Sequence, residues 1–193
     1  MRPDLPPDID LARATDPSGR FCMVADERGD RLLVFRSTGG VKPRVVAQRP
    51  GSGPIQIVFH PTIPVVYTCN AGNSTITAHH WDGAAGALAY AQSLRAIPAA
   101  FTGANRILGI AISPDGRYLY AVHRGHNSLA VFAIQRGKGK MFLRAREVLS
   151  AAPPGPPVLN VAGTMMMLGD DGAEAMRFVV QPANGMVTAV LGD

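Results

Sequence analysis

The sequence predicts an all-β chain, a partial β-propeller of about four four-stranded blades, on three observations. One tight turn recurs, strands follow it in the same order each time, and the period is that of a propeller blade. The first turn is Asp16-Pro-Ser-Gly-Arg-Phe21 and the third is Ser113-Pro-Asp-Gly-Arg-Tyr118. Between them His60-Pro-Thr-Ile-Pro-Val65 keeps the proline and has lost the Gly-Arg pair. Proline at the second place presets φ for the turn, and glycine at the fourth accepts φ > 0. The turn prolines Pro17, Pro61 and Pro114 fall about 44 and about 53 residues apart, around the period expected of blades.

Each turn leads into an apolar strand: Phe21–Ala25, Val65–Cys69 and Tyr118–Val122. A polar loop follows, and then an alternating strand: 30–35, 74–78 and 128–132. Hairpins at 37–40, 82–86 and 136–139 return the chain into a last strand, at 41–47, 87–92 and 141–148. Apolar runs at 55–59 and 107–112 precede the second and third turns and supply the remaining strand. A fourth copy is worn. Its strands read as 163–168, 175–180 and 186–191, around a hairpin Gln181-Pro-Ala-Asn-Gly185, and its Pro-Ser-Gly turn is missing. Ala151-Ala-Pro-Pro-Gly-Pro-Pro157 is a stiff connector into it. The reading is a single region 1–193, with blades 11–50, 51–98, 99–150 and 151–193. Val24, Val66, Leu119, Val131 and Phe132 should lie in buried strands.

Composition removes several function classes. The formal charge is +5, but arginine is scattered and the densest basic run, Arg136–Lys140, sits at a hairpin tip, so no nucleic-acid partner is expected. No apolar run approaches the roughly 20 residues of a membrane span. Cys22 and Cys69 lack disulfide or metal spacing and read as small buried thiols. Met1–Asp10 is no secretory signal, so a cytoplasmic location is the expectation. No metal and no cofactor are expected. His79-His80-Trp81 lies on a strand, where the two imidazoles face opposite ways and cannot share one metal; solvent and edge positions are expected for them.

The richest polar cluster is His123-Arg124-Gly125-His126-Asn127-Ser128, aligned with 26–31 and 70–75 in the earlier copies. It reads equally as an anion or carboxylate site built on Arg124, or as a turn capped by Asn127 and Ser128.

The ordered set of motifs resembles the seven-bladed lactonase family, which includes 6-phosphogluconolactonase and the fungal carboxymuconate cycloisomerase. The likeness covers about residues 11–193. It is carried by the first turn, Val24-Ala-Asp26, Phe59-His-Pro61, Val66-Tyr-Thr-Cys-Asn70 with Asn73-Ser-Thr-Ile-Thr77, Phe101-Thr-Gly-Ala-Asn105, and Ile112–Tyr120 running into Arg124-Gly-His-Asn-Ser128. The resemblance implies a lactonase, a carboxylic ester hydrolase of carbohydrate metabolism acting on a sugar-acid lactone. It also implies seven blades, so about four blades are expected to self-associate or to need missing blades for closure.

Departures from the family pattern qualify that activity. Where the family has Pro-His-Ser stand Asp10, Leu11 and Ala12. Gly-Pro-Arg-His has become Gly53-Pro54-Ile55-Gln56, and the glutamate that follows Asn-x-Ala-Ala is Gly109. Asn70 is kept, but the acidic residue after it is Ala71. Arg124 and His126 therefore remain as candidate catalytic groups, with Asn105 and Asn70 as candidate substrate-binding groups. The expectation is a lactonase-like protein with a degraded site. The alternatives are a non-catalytic binding propeller, or a fragment of a longer lactonase.

Overall fold

The computed structural model describes residues 11–38, 42–169 and 175–190, and among these there is no helix. Sixteen strands form four separate four-stranded antiparallel sheets, the blades of a partial β-propeller. Blade 1 is β1 (Leu11–Thr15), β2 (Phe21–Asp26), β3 (Arg31–Arg36) and β4 (Arg44–Ala47). Blade 2 is β5 (Pro54–Phe59), β6 (Val65–Asn70), β7 (Thr75–Asp82) and β8 (Ala87–Arg95). Blade 3 is β9 (Arg106–Ile112), β10 (Tyr118–Arg124), β11 (Ser128–Ile134) and β12 (Met141–Val148). Blade 4 is β13 (Pro157–Leu159), β14 (Met165–Leu168), β15 (Met176–Val180) and β16 (Val187–Ala189). In every sheet the strands lie in chain order. Hairpin connections throughout make this the lowest-cost way to pair them. Gly39 and Gly40 of the first predicted hairpin, Val41 of the strand predicted after it, Asp10 and Leu191 lie outside the described residues.

The chain divides into two units: residues 1–60 with 64–94, and residues 61–63 with 95–193. Each unit is built on the same inter-blade core. In the first, Phe21, Met23, Ala25, Leu32 and Val34 of blade 1 pack against Ile57, Val66 and Trp81 of blade 2. In the second, Tyr118, Tyr120, Val122, Leu129 and Val131 of blade 3 pack against Met166, Leu168, Phe178, Val180 and Val187 of blade 4. The blade 1 and blade 3 contributions are the same positions of the repeat. They alternate along the second and third strands because only every other side chain reaches the facing blade. Val24, Val66, Leu119, Val131 and Phe132 are all fully buried, as expected. Cys69 is buried and Cys22 half-buried, both as free thiols.

The recurring turn does more than reverse the chain. In blade 1 the Asp16 carboxylate accepts the Phe21 N–H at 2.7 Å and the Ser18 hydroxyl at 2.6 Å. In blade 3 the hydroxyl and carboxylate have exchanged places. Ser113 Oγ accepts the Tyr118 N–H at 3.0 Å and donates to Asp115 at 2.6 Å. The arginine and aromatic that follow clasp the hairpin of the next blade. Arg20 donates to the Gly83 carbonyl at 2.7 Å, and Phe21 lies under Gly86. Arg117 donates to the carbonyls of Pro182 and Ala183, Tyr118 Oη donates to Ala183 at 3.0 Å, and its ring lies under Gly185.

The fourth blade corrects one expectation. Its turn is present, built without proline by Asn160-Val-Ala-Gly163. Asn160 Oδ1 accepts the N–H groups of Thr164 and Met165 at 2.9 and 3.0 Å, Gly163 N–H bonds the Asn160 carbonyl, and Gly163 has φ +66°. Asparagine does here what Asp16 and Ser113 do in blades 1 and 3: in these three blades the turn rests on a short side-chain acceptor at its first place and positive φ at its fourth, Gly19, Gly116 or Gly163.

Candidate functional site

The loops joining the second and third strands of blades 1 to 3 share one frame. Their fifth position takes positive φ in each: Asp30 (46°), Ser74 (56°) and Asn127 (48°). Their first position, Asp26, Asn70 or His123, is buried in each. Three chemistries fill the same slot. Asp26 pairs with Arg31 at 2.6 Å, Asn70 Nδ2 donates to Thr75 and Thr77 at 2.9 Å each, and His123 meets Asn105. Asp30 also ties its loop to the connector ahead of blade 2, accepting the N–H groups of Gly51 and Gly53 at 2.7 Å. These two bonds hold its carboxyl below the usual aspartate range.

In the third blade Asn105 organises the polar cluster. Its Oδ1 accepts the His126 N–H at 3.0 Å, and its Nδ2 lies 3.1 Å from His123 Nδ1. His126 Nδ1 lies 2.7 Å from Ser128 Oγ, and Phe101 meets the His126 ring edge-on at 4.9 Å between centroids. Ser128 is wholly buried, which leaves its hydroxyl no route to an outside carbonyl. His123 is wholly buried as well. Burial, then the positive neighbours His126 and Arg146, bring its pKa down to about 4, and its Nε2 has no hydrogen-bond partner among the described residues. Replacing Asn105 with leucine should strand the His126 N–H and His123 Nδ1. The expected loss is about 2 kcal/mol of stability, read from urea unfolding monitored by circular dichroism.

Arg124 is turned onto the blade connector. Its guanidinium donates to the carbonyl of Pro153 at 2.8 and 3.2 Å and to that of Pro154 at 3.0 Å. The prolines have no N–H of their own, so the connector offers only acceptors and the arginine supplies the donors. The structure thus brings Arg124, His126 and Asn105 onto one loop cluster in one unit. Asn70 belongs to the other unit, where it serves its own loop. Of the departed family positions, Ile55 is an unpaired bulge residue between Pro54 and Gln56, and Gly109 is paired to Val122. Leu108 is skipped in blade 3 at the same point of the first strand, in a second bulge of the same kind. Among the described residues no carboxylate contacts His123 or His126, and no group of three or more His, Cys, Asp or Glu side chains could hold a metal.

His79 also departs from expectation. It is 3% exposed, whereas His80 is on the solvent side. Pleat alternation places His79 on the face that carries Thr77 and Trp81 toward blade 1, and Trp81 stacks edge-on to Phe21 there. Burial lowers the His79 pKa to about 4. The alternation of Thr75, Thr77, His79 and Trp81 was the signal available in the sequence.

Comparison with known proteins gives this fold a family context. Residues 12–191 match the family described as lactonase, 7-bladed beta-propeller. A 6-phosphogluconolactonase of Yersinia pseudotuberculosis is 30% identical over 145 residues, covering 72% of this chain and 43% of that protein. An uncharacterised protein of Lactococcus lactis is 34% identical over 121 residues, covering 61% of this chain and 35% of that one. The periplasmic gluconolactonase PpgL of Pseudomonas aeruginosa superposes with a TM-score of 0.84 at 21% identity, over 94% of this chain and 53% of its own. The chain therefore spans less than half the length of these curated relatives.

Proposed function

The chain belongs to the lactonase family of seven-bladed β-propellers, and from that premise we propose that it is a lactonase-like protein for a sugar-acid lactone whose own residues form a depleted site, needing neither metal nor cofactor. Lactone opening takes a base or activated water, together with donors aimed at the developing oxyanion. One observation carries the depletion: Arg124, the best anion-holding side chain that remains, has its Nε and Nη2 donors on the Pro153 and Pro154 carbonyls. His126, the best remaining proton carrier, is held by Ser128 and Asn105, and among the described residues no carboxylate orients it. Ile55 and Gly109 offer no side-chain donor, acceptor or titrating group where the family has arginine and glutamate.

The expected result is that this chain hydrolyses 6-phosphogluconolactone little faster than water does. Loss of a single oxyanion donor costs about 100- to 1,000-fold in rate. Turnover above the spontaneous rate is to be measured for the native chain, Arg124→Ala and His126→Ala. Robust native turnover abolished in both variants would sink the depleted-site reading. Absence of turnover with retained lactone binding would favour a second reading, a non-catalytic binding propeller, which the replacements at Ile55 and Gly109 support.

A further inference from the structure

Outside that loop cluster, the first unit holds a cleft of about 320 Å³ between β4 of blade 1 and β7–β8 of blade 2. Its floor is a chain of neutral hydrogen-bonding groups. Asn73 Oδ1 accepts from Thr75 at 2.6 Å, Thr75 and Thr77 each accept from Asn70 Nδ2, and Thr77 Oγ1 lies 3.2 Å from Ser93 Oγ. Two lining side chains are almost wholly buried and have an atom without a hydrogen-bond partner among the described residues: Asn70 Oδ1 and His79 Nδ1, on residues 1% and 3% exposed. Buried polar atoms are nearly always paired, so two orphans on residues that line one cleft mark a place where something outside the chain can complete the network.

The chemistry of the lining narrows what that is. Among the described residues no aspartate or glutamate lines the cleft, and the one cation among them, Arg49, is exposed. Burial keeps His79 neutral at neutral pH. Tyr90, 68% exposed, stands edge-on to His79 with 6.4 Å between ring centroids, while Val46 and Ala47 form an apolar wall. Amides, hydroxyls, a neutral imidazole and an exposed aromatic ring match a ligand that alternates hydroxyl and C–H surfaces. We propose that this cleft binds a small neutral polyol or monosaccharide, with Asn70 Oδ1 accepting a ligand hydroxyl, His79 Nδ1 hydrogen-bonding a second, and Tyr90 covering an apolar face. The site stands apart from Arg124 and His126 and does not depend on lactone hydrolysis.

Saturation-transfer NMR on the full chain with D-glucose as probe tests this, together with the ¹H–¹⁵N signals of the His79 imidazole. Transfer to glucose and movement of the His79 signals are expected. Ser93→Phe, which fills the cleft from an exposed position on β8, should abolish both. Thr77→Val, which removes an acceptor that holds the Asn70 amide in place, should weaken binding about tenfold, the worth of about one hydrogen bond. Tyr90→Ala, at an exposed position, gives a second binding-deficient variant should Ser93→Phe perturb the amide fingerprint of the native fold. Absence of transfer at millimolar glucose would mean that ordered water alone fills the cleft. Undiminished binding in folded Ser93→Phe and Tyr90→Ala would place glucose elsewhere. Either result overturns the proposal.

Discussion

Replacing Gly185 with alanine is expected to destabilise the unit containing blades 3 and 4 by about 3 kcal/mol. Two costs combine. Gly185 has φ +75°, a conformation that costs an L-residue roughly 1–2 kcal/mol. A Cβ there would also lie under 3.0 Å from several atoms of the Tyr118 ring. That ring is held by its bond to the Ala183 carbonyl and has Arg117 stacked over it at 5.4 Å, so it has little freedom to retreat. Overpacking of this kind adds about 1–3 kcal/mol. Gly137 supplies the control within the same unit. Its φ is +71°, but a Cβ would meet nothing within 4 Å, so Gly137→Ala should show the conformational cost alone. Urea midpoints for the two variants separate the terms, and equal losses would refute the clasp as an energetic feature. Gly86→Ala should repeat the larger loss in the other unit, against Phe21.

Stability should fall as pH drops from about 6.5 to about 4, before carboxylates dominate. His79 and His123 are both lowered to about 4 in the folded chain by burial, against 6.5 for a free imidazole. Above pH 6.5 both states are neutral and the imidazoles contribute no slope. Below it the unfolded chain binds protons that the folded chain refuses, so unfolding gains at most roughly 1.4 kcal/mol per pH unit per imidazole. The two histidines lie in different units, so each unit should lose stability in this window. The lowered carboxyls of Asp30 and Asp82, held down by backbone N–H bonds, add their own loss only below about 3.8. Thermal unfolding across pH 4–7 reads the slope, and His79→Gln and His123→Gln should each flatten it. A flat profile in the native chain would contradict the burial of both rings.

Strand order and core positions were legible because a propeller blade repeats its chemistry. Phe21 and Tyr118, or Leu32 and Leu129, can be matched by eye, and the structure buries them in equivalent clusters. The fourth turn was illegible for the opposite reason. Asn160 fulfils the backbone requirement without the proline by which the motif is recognised. The site was less readable than the fold. Nothing in the string His123–Ser128 says that Arg124 turns to the proline connector some 30 residues on, since that bond depends on where two loops meet in space. The two-residue period of the strand sends His79 and His80 to opposite faces, and only the packing of Trp81 against blade 1 tells which face turns inward.

Blade 4 shows one face to its core and another to solvent, and the second is not polar. Met165 and Val179 stand opposite each other on β14 and β15, and both are substantially exposed, as is Val158 on β13. Sheet faces of this kind are what colloidal association acts on, since valine and methionine there gain by any contact that removes water. The practical consequence concerns handling: the chain should be most soluble at low concentration and moderate ionic strength, with salting-out agents such as sulfate driving it together early. A single charge placed among these side chains, as in Val179→Lys, should raise the sulfate concentration at which the protein precipitates while leaving the buried side of the blade, with Phe178 and Val180, as it is.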